Sequence, residues 1–185
     1  QEVVSGLNAP WAVGFLPGGH LLITDRAGRL LVAADNGIRP VSGLPPIEDR
    51  GQGGLLDVLV PSDFEETREI FMSFATRKRG GAATALMRAR LSEDHNTLPA
   101  VEAIIELNRG SGSGQHFGSR IVEATDGTLF LTIGDRGDRE SAQDRSNANG
   151  SVVRVGRDGR IPADNPFLNR DGIRPAIWSY GHRNP

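Results

Sequence analysis

The 185-residue chain has no cysteine, so it gains nothing from disulfides and offers neither a thiolate nucleophile nor a zinc-thiolate centre. Aromatic residues make up only 5%, while glycine (24) and proline (11) together approach a fifth of all positions, a balance that excludes a long-helix or coiled-coil protein. Charge of one sign is also lacking: 21 basic and 23 acidic side chains leave a formal charge of -2, with no electrostatic footprint for nucleic acid or an anionic membrane. No apolar run approaches the roughly 18 to 20 residues of a transmembrane helix, so no membrane insertion is expected. The start, Gln1-Glu2-Val3-Val4-Ser5, lacks the basic-then-apolar layout of a signal peptide, as the mature form of an exported protein would. What remains, 37% hydrophobic and 24% charged residues, is enough for a core. The length fits one domain or a portion of a larger one.

Strand-sized apolar stretches recur between turn signals: Trp11 to Leu16, His20 to Thr24, Arg29 to Ala33, Leu55 to Val60, Glu69 to Phe74, Thr84 to Leu91, Val101 to Leu107, Ser119 to Ala124, Thr128 to Ile133, Ser151 to Val155 and Ala176 to Tyr180. No helical period continues through eleven residues, so the chain reads as all-β. Repetition carries more. Leu16-Pro-Gly-Gly-His-Leu-Leu-Ile-Thr-Asp25-Arg-Ala-Gly28 is echoed by Thr125-Asp-Gly-Thr-Leu-Phe-Leu-Thr-Ile-Gly-Asp135-Arg-Gly137, and a diverged copy runs through Leu55 to Val60, the turn-like Pro61 to Phe64 and Glu69 to Phe74. The first strands begin near 11, 55 and 119. The first interval matches a four-stranded propeller blade of about 40 to 50 residues, and the second needs an inserted loop. The expected layout is three blades near 10–50, 51–110 and 115–180, with a fourth opening at 181–185. Together these form the N-terminal half of one propeller domain.

Four glycine-flanked polar clusters adjoin the strands: Gly51 to Gly54, Gly114 to Arg120, Gly134 to Gly137 and Gly181 to Pro185. Histidine is the natural general base near neutral pH, and a carboxylate on its other ring nitrogen fixes the tautomer. His116 and Asp135 flank one strand pair, which places both at the same end; the same residues also read as a satisfied structural histidine and a turn former. Arg183 and Asn184 offer a cation and an amide for an oxygen-rich ligand, or a surface arginine and a turn. Gln52 reads as a turn former or a ligand contact, and His182 as a packing residue. Arg109 to Gly114 lacks the Gly-Lys-Ser/Thr of a phosphate loop, and Asp135 to Glu140 lacks an EF-hand's ligand spacing and reads as a solvated loop. His20 and His95 stand alone in the sequence, and no motif has transition-metal spacing, so no metal ligand is assigned.

These clusters together resemble the soluble, pyrroloquinoline quinone (PQQ)-dependent sugar dehydrogenases, and within them the aldose sugar dehydrogenase branch. The resemblance rests on Pro10-Trp11-Ala12, Gly51 to Asp57, Pro61 to Phe64, His116 to Arg120, Thr132 to Gly137, Asp158 to Phe167 and Gly181 to Pro185, in the family's order across nearly the whole chain. It implies a six-bladed β-propeller of which this chain supplies about the first three blades. It also implies oxidation of an aldose at its anomeric carbon to the lactone. His116 is then the base, Asp135 its orienting partner, Arg183 a catalytic cation, and Gln52, Arg183 and Asn184 the cofactor contacts. PQQ and calcium are the implied cofactors, the calcium ligands lying beyond Pro185, so that this segment alone is expected to be inactive. A periplasmic or secreted location follows from the same resemblance, and a homodimer is left open. Gln115 stands where the glucose-oxidising branch has an aspartate before its histidine, a departure that bears on sugar preference. Two other readings differ in class: a non-catalytic propeller binding module, and a calcium-dependent propeller lactonase drawing on Asn147, Asn149 and Asp135.

Overall fold

The computed structural model describes residues 2–35, 37–106 and 109–185. Its strands form three four-stranded antiparallel sheets, each a meander in sequence order. The first holds β1 (Pro10–Phe15), β2 (Leu21–Asp25), β3 (Arg29–Ala34) and β4 (Gly37–Val41). The second holds β5 (Leu55–Leu59), β6 (Glu69–Lys78), β7 (Gly81–Arg90) and β8 (Ala100–Ile105). The third holds β9 (Ile121–Glu123), β10 (Leu129–Ile133), β11 (Ser151–Val155) and β12 (Ile177–Tyr180).

The eleven expected strands are present. Val101 to Leu107 ends at Ile105, and Leu107 lies outside the described residues. Strand β4 has no counterpart among them: its Pro40 interrupts the β pattern, yet an outermost strand tolerates the missing N–H. Pro61 to Phe64 is not only a turn. It leads into a four-residue helix, α1 (Phe64–Thr67), which Phe64 anchors in the core.

The middle sheet explains why β6 and β7 read as nearly continuous apolar runs. Side chains alternate across a sheet, and here both faces are covered. Met72 and Met87 pack toward Leu22, Leu30 and Val32 of the first sheet. Phe71 and Leu86 pack toward Leu129, Leu131, Val153 and Val155 of the third. Each such side chain contributes roughly 1.5–3 kcal/mol by leaving water.

Buried polar side chains then tie the sheets together where the apolar layers end. Thr24 donates to the Leu56 carbonyl. Ser73 on β6 donates to the Ser119 carbonyl at 2.7 Å, and Thr84 on β7 donates to that of Phe117 at 2.9 Å. Asp57 on β5 accepts from the Ile121 amide at 2.7 Å and from the Arg120 guanidinium at 2.9 Å, and that guanidinium lies 4.7 Å over the Trp11 ring of β1. One carboxylate thus sits where all three sheets meet.

Burial pushes the Asp57 carboxyl above its ordinary range, against the pull of Ile121, Arg120 and Val58. A carboxyl raised in the folded state is titrated first in the unfolded chain, so its contribution is fully present at pH below about 3.8 and is lost as pH rises through the folded value. Thermal melting of wild type and Asp57→Asn between pH 3 and 7 should therefore show the wild type's advantage shrinking as pH rises. A pH-independent difference would mean that Asp57 ionises as freely folded as unfolded.

Candidate active site

Two loops face each other at one end of the third sheet. The first, leading into β9, carries His116 at φ 55, Gly118 at φ 66 and Ser119 at φ 93; the second, after β10, carries Arg136 at φ 60. Three of these are non-glycine residues in the left-handed region, a strain of order 1–3 kcal/mol each that persists only where the surroundings over-determine it. The surroundings do so here. The Ser73 and Thr84 hydroxyls hold the loop from the second sheet, and the Ser119 amide donates to the Thr132 carbonyl at 2.7 Å. Gly134 lets the loops touch: a Cβ there would stand 2.1 Å from the His116 carbonyl oxygen.

That contact sets the His116 ring against Asp135. Nδ1 lies 2.7 Å from the Asp135 Oδ1, with the two side chains only 10% and 3% exposed. The same Oδ1 accepts the Gly137 amide at 2.7 Å, and the Asp135 amide donates to the Arg183 carbonyl at 2.8 Å. An ionised carboxylate only accepts, so its partner nitrogen carries the proton and Nε2 keeps the lone pair. Among the described residues Nε2 has no hydrogen-bond partner.

The repeat seen in the sequence is a repeat of this turn. Asp25 Oδ1 accepts the Ala27 amide at 2.9 Å as Asp135 accepts that of Gly137, each an Asx-turn. In the first copy the carboxylate pairs with Arg29 at the start of the neighbouring strand β3; in the third it meets an imidazole from another loop.

Gln52 accepts the His116 amide on Oε1 at 2.8 Å, while its own amide donates to Gly114. Its turn and its side chain therefore both serve the histidine loop. Asn184 accepts the Gly118 amide on Oδ1 at 2.9 Å. Gln52 and Asn184 line a cavity of about 250 Å³ with Trp11, Arg26, Leu56, Phe117 and Gly118. The exposed Arg183 side chain instead lines a second depression of about 280 Å³ with Asp135, Arg139, Gln143 and His182. Gln52 and Asn184 thus share a cavity that Arg183 does not line.

Other expectations are corrected or extended. The loop from Asp135 to Glu140 is not simply solvated, because Arg136 is 1% exposed. Trp11 escaped notice as a site residue, since a lone aromatic at a strand start signals only packing. His182 does pack, its Nε2 lying 2.9 Å from the Ser179 hydroxyl. His20 and His95 do not stand alone in space: their rings meet edge to face, 5.5 Å apart. Asn147 is engaged with Asp144 and the Asn149 amide, the Asn149 side-chain nitrogen with Ser141, and Asp135 with His116, while the Asn149 Oδ1 is buried without a partner among the described residues. A depression of about 260 Å³ on the second sheet lies away from the site, and its Arg88 is paired with Glu69 and Glu102.

The family model for glucose/sorbosone dehydrogenase matches residues 7–185. The aldose sugar dehydrogenase YliI of Escherichia coli (strain K12) is 41% identical over 183 residues, covering 97% of this chain and 49% of that protein. The crystal structure of the soluble aldose sugar dehydrogenase from E. coli in the apo-form superposes with a TM-score of 0.94 at 39% identity, covering 100% of this chain and 54% of that one. The PQQ-bound form of the aldose sugar dehydrogenase from Streptomyces coelicolor superposes with a TM-score of 0.86 at 27% identity, covering 100% and 54%. The chain spans about half the length of the curated relatives it matches. Three meandering sheets packed face to face, in the arrangement of a partial β-propeller, and the match from residue 7 to residue 185 lead to one assignment: the chain belongs to the glucose/sorbosone dehydrogenase family.

Proposed function

We propose that the complete protein is a PQQ-dependent dehydrogenase that oxidises an aldose at its anomeric carbon to the lactone. The observation that carries this reading is the His116–Asp135 pair, with its second ring nitrogen unpartnered among the described residues. Asp135 holds the imidazole in the tautomer whose Nε2 accepts a proton and stabilises the imidazolium that results. The anomeric hydroxyl gives its proton to Nε2 as the carbon–hydrogen bond breaks. The bound quinone supplies the two-electron acceptor that takes up the hydride.

The donor set suits such a group. Gln52 and Asn184 each spend their carbonyl oxygen on a backbone amide, which leaves both side-chain NH2 groups as donors. Arg183 makes no ion pair among the described residues. Two amides in one cavity, and a guanidinium in the depression that Asp135 lines, are donors of the kind that hold a planar, oxygen-rich anion. Arg183 is the group that would stabilise negative charge growing on a quinone oxygen, because a preorganised cation does so without reorganising. Calcium belongs to the proposal for the complete protein, as does a periplasmic or secreted setting; no helix of the described residues is long and apolar enough to cross a membrane.

Mixing the complete apo-protein with PQQ, calcium, glucose or another aldose, and a dye acceptor should give dye reduction that requires PQQ. Lactone hydrolysis without PQQ, and no dye reduction with it, would overturn the proposal in favour of a hydrolase.

A further inference from the structure

We infer that Arg136 is a positioning residue for the His116 base, clamping the loop that carries the imidazole to the loop that carries its carboxylate. This rests on the proposed function for its catalytic meaning and on geometry for its mechanical one.

Arg136 follows Asp135 in the chain, so its backbone belongs to the carboxylate loop. Its side chain crosses to the other loop. One terminal nitrogen donates to the Gln115 carbonyl at 2.7 Å, and the other donates to that of Ser113 at 3.0 Å. The guanidinium lies over the ring of Phe117, its central carbon 3.3 Å from the ring centroid. The residues before and after His116 are therefore both held by one planar group, Gln115 through its carbonyl and Phe117 through its ring. A fork of this shape fixes both carbonyls at once, which a point charge cannot do.

Burying this group is unfavourable. It is the largest of the fully buried side chains, and its Nε is buried with no partner among the described residues. Burial pushes the guanidinium down to about 10, opposed by the charge of Asp135. An apolar side chain of similar volume would avoid those costs, and buried ion pairs are often replaced that way without loss of stability. The cost is tolerated at a position from which the side chain ties the backbone of the base's loop to that of its orienting carboxylate. The strained backbone points the same way, since Arg136 and His116 both occupy the left-handed region. The charged and titratable groups facing the pair are Asp135, Arg136 itself, and Arg139, His182 and Arg183 around the depression that Asp135 lines. Arg136 is the only one of these whose side chain bonds to the backbone of the His116 loop among the described residues.

The test compares Arg136→Met, Arg136→Lys and His116→Ala in the complete protein, with two readouts. The first is the downfield proton resonance of the His116 Nδ1–H bonded to Asp135, measured without cofactor or substrate. It should be present in wild type, absent or broadened by solvent exchange in Arg136→Met, and partly restored in Arg136→Lys, with all variants folded by near-ultraviolet circular dichroism. The second is steady-state kinetics. Displacing a base by about 1 Å costs on the order of 100-fold, so kcat of Arg136→Met should fall by about that factor with KM changed less than about threefold. A folded Arg136→Met that keeps both the resonance and kcat overturns the clamp. If it does so while His116→Ala is inactive, the general-base reading stands and only the role of Arg136 is lost. If His116→Ala is as active as wild type, the base reading itself falls, and loss of the resonance in Arg136→Met would then be the remaining support for the clamp. Should Arg136→Met fail to fold, Arg136→Lys decides: a wild-type resonance and kcat there overturn the need for a two-pronged grip.

Discussion

Replacing His116 by alanine is expected to lower kcat in the complete protein by about 100- to 10,000-fold, the contribution of a positioned general base. The folded state should survive, because Asp135 keeps the Gly137 amide and its own amide keeps the Arg183 carbonyl. Asp135→Asn tests the same pair from the other side. An asparagine amide can donate to Nδ1, which moves the proton to Nε2 and removes the lone pair from the side where no protein group meets it. Its loss should approach that of His116→Ala, with KM little changed in both, since each substitution acts on proton transfer in the transition state rather than on binding. Dye-reduction kinetics at saturating cofactor check both. A decrease below about tenfold in His116→Ala would return the imidazole to a purely structural role.

Gly134→Ala should be strongly damaging to the contact between the histidine and carboxylate loops. The new Cβ would stand 2.1 Å from the His116 carbonyl oxygen and 2.5 Å from its carbon, and both are backbone atoms that cannot rotate away. The loops must separate, and the Nδ1–Oδ1 contact separates with them. Overpacking of this kind costs about 1–3 kcal/mol in stability, and a shift of about 1 Å between base and substrate about 100-fold in rate. Gly112→Ala is the matched control: the nearest atom to its Cβ, the Gly80 carbonyl oxygen, is 4.0 Å away. That variant should unfold within about 0.5 kcal/mol of wild type. Denaturant titration of both, with kcat measured alongside, decides the matter; equal behaviour of the two would show that the loops do not meet as closely as described.

The strands were legible because alternation and turn residues are local signals. Strand β4 was not, since Gly37 and Pro40 disrupt its pattern, and its place is secured by pairing with β3. The repeat made the His116–Asp135 pair legible, as it put both residues at one end of a strand pair before any coordinates. It could not show that Asp25 and Asp135 build the same turn for different partners. Gln52 and Asn184 were legible as polar residues beside glycines, but their role on backbone amides of the histidine loop depends on contacts more than sixty positions apart. Arg136 was missed outright. A charged residue in a glycine-rich loop looks solvated unless one knows that Phe117 lies beneath it.

The histidine loop precedes the third sheet in the chain, yet the hydroxyls that hold it belong to Ser73 and Thr84 of the second. The unit of inheritance for the base is thus a pair of adjacent blades rather than one. Chimeras that swap a single blade between relatives would break this dependence unless serine and threonine recur at both places. A crossover placed before residue 55 would carry the supporting strands and the supported loop together.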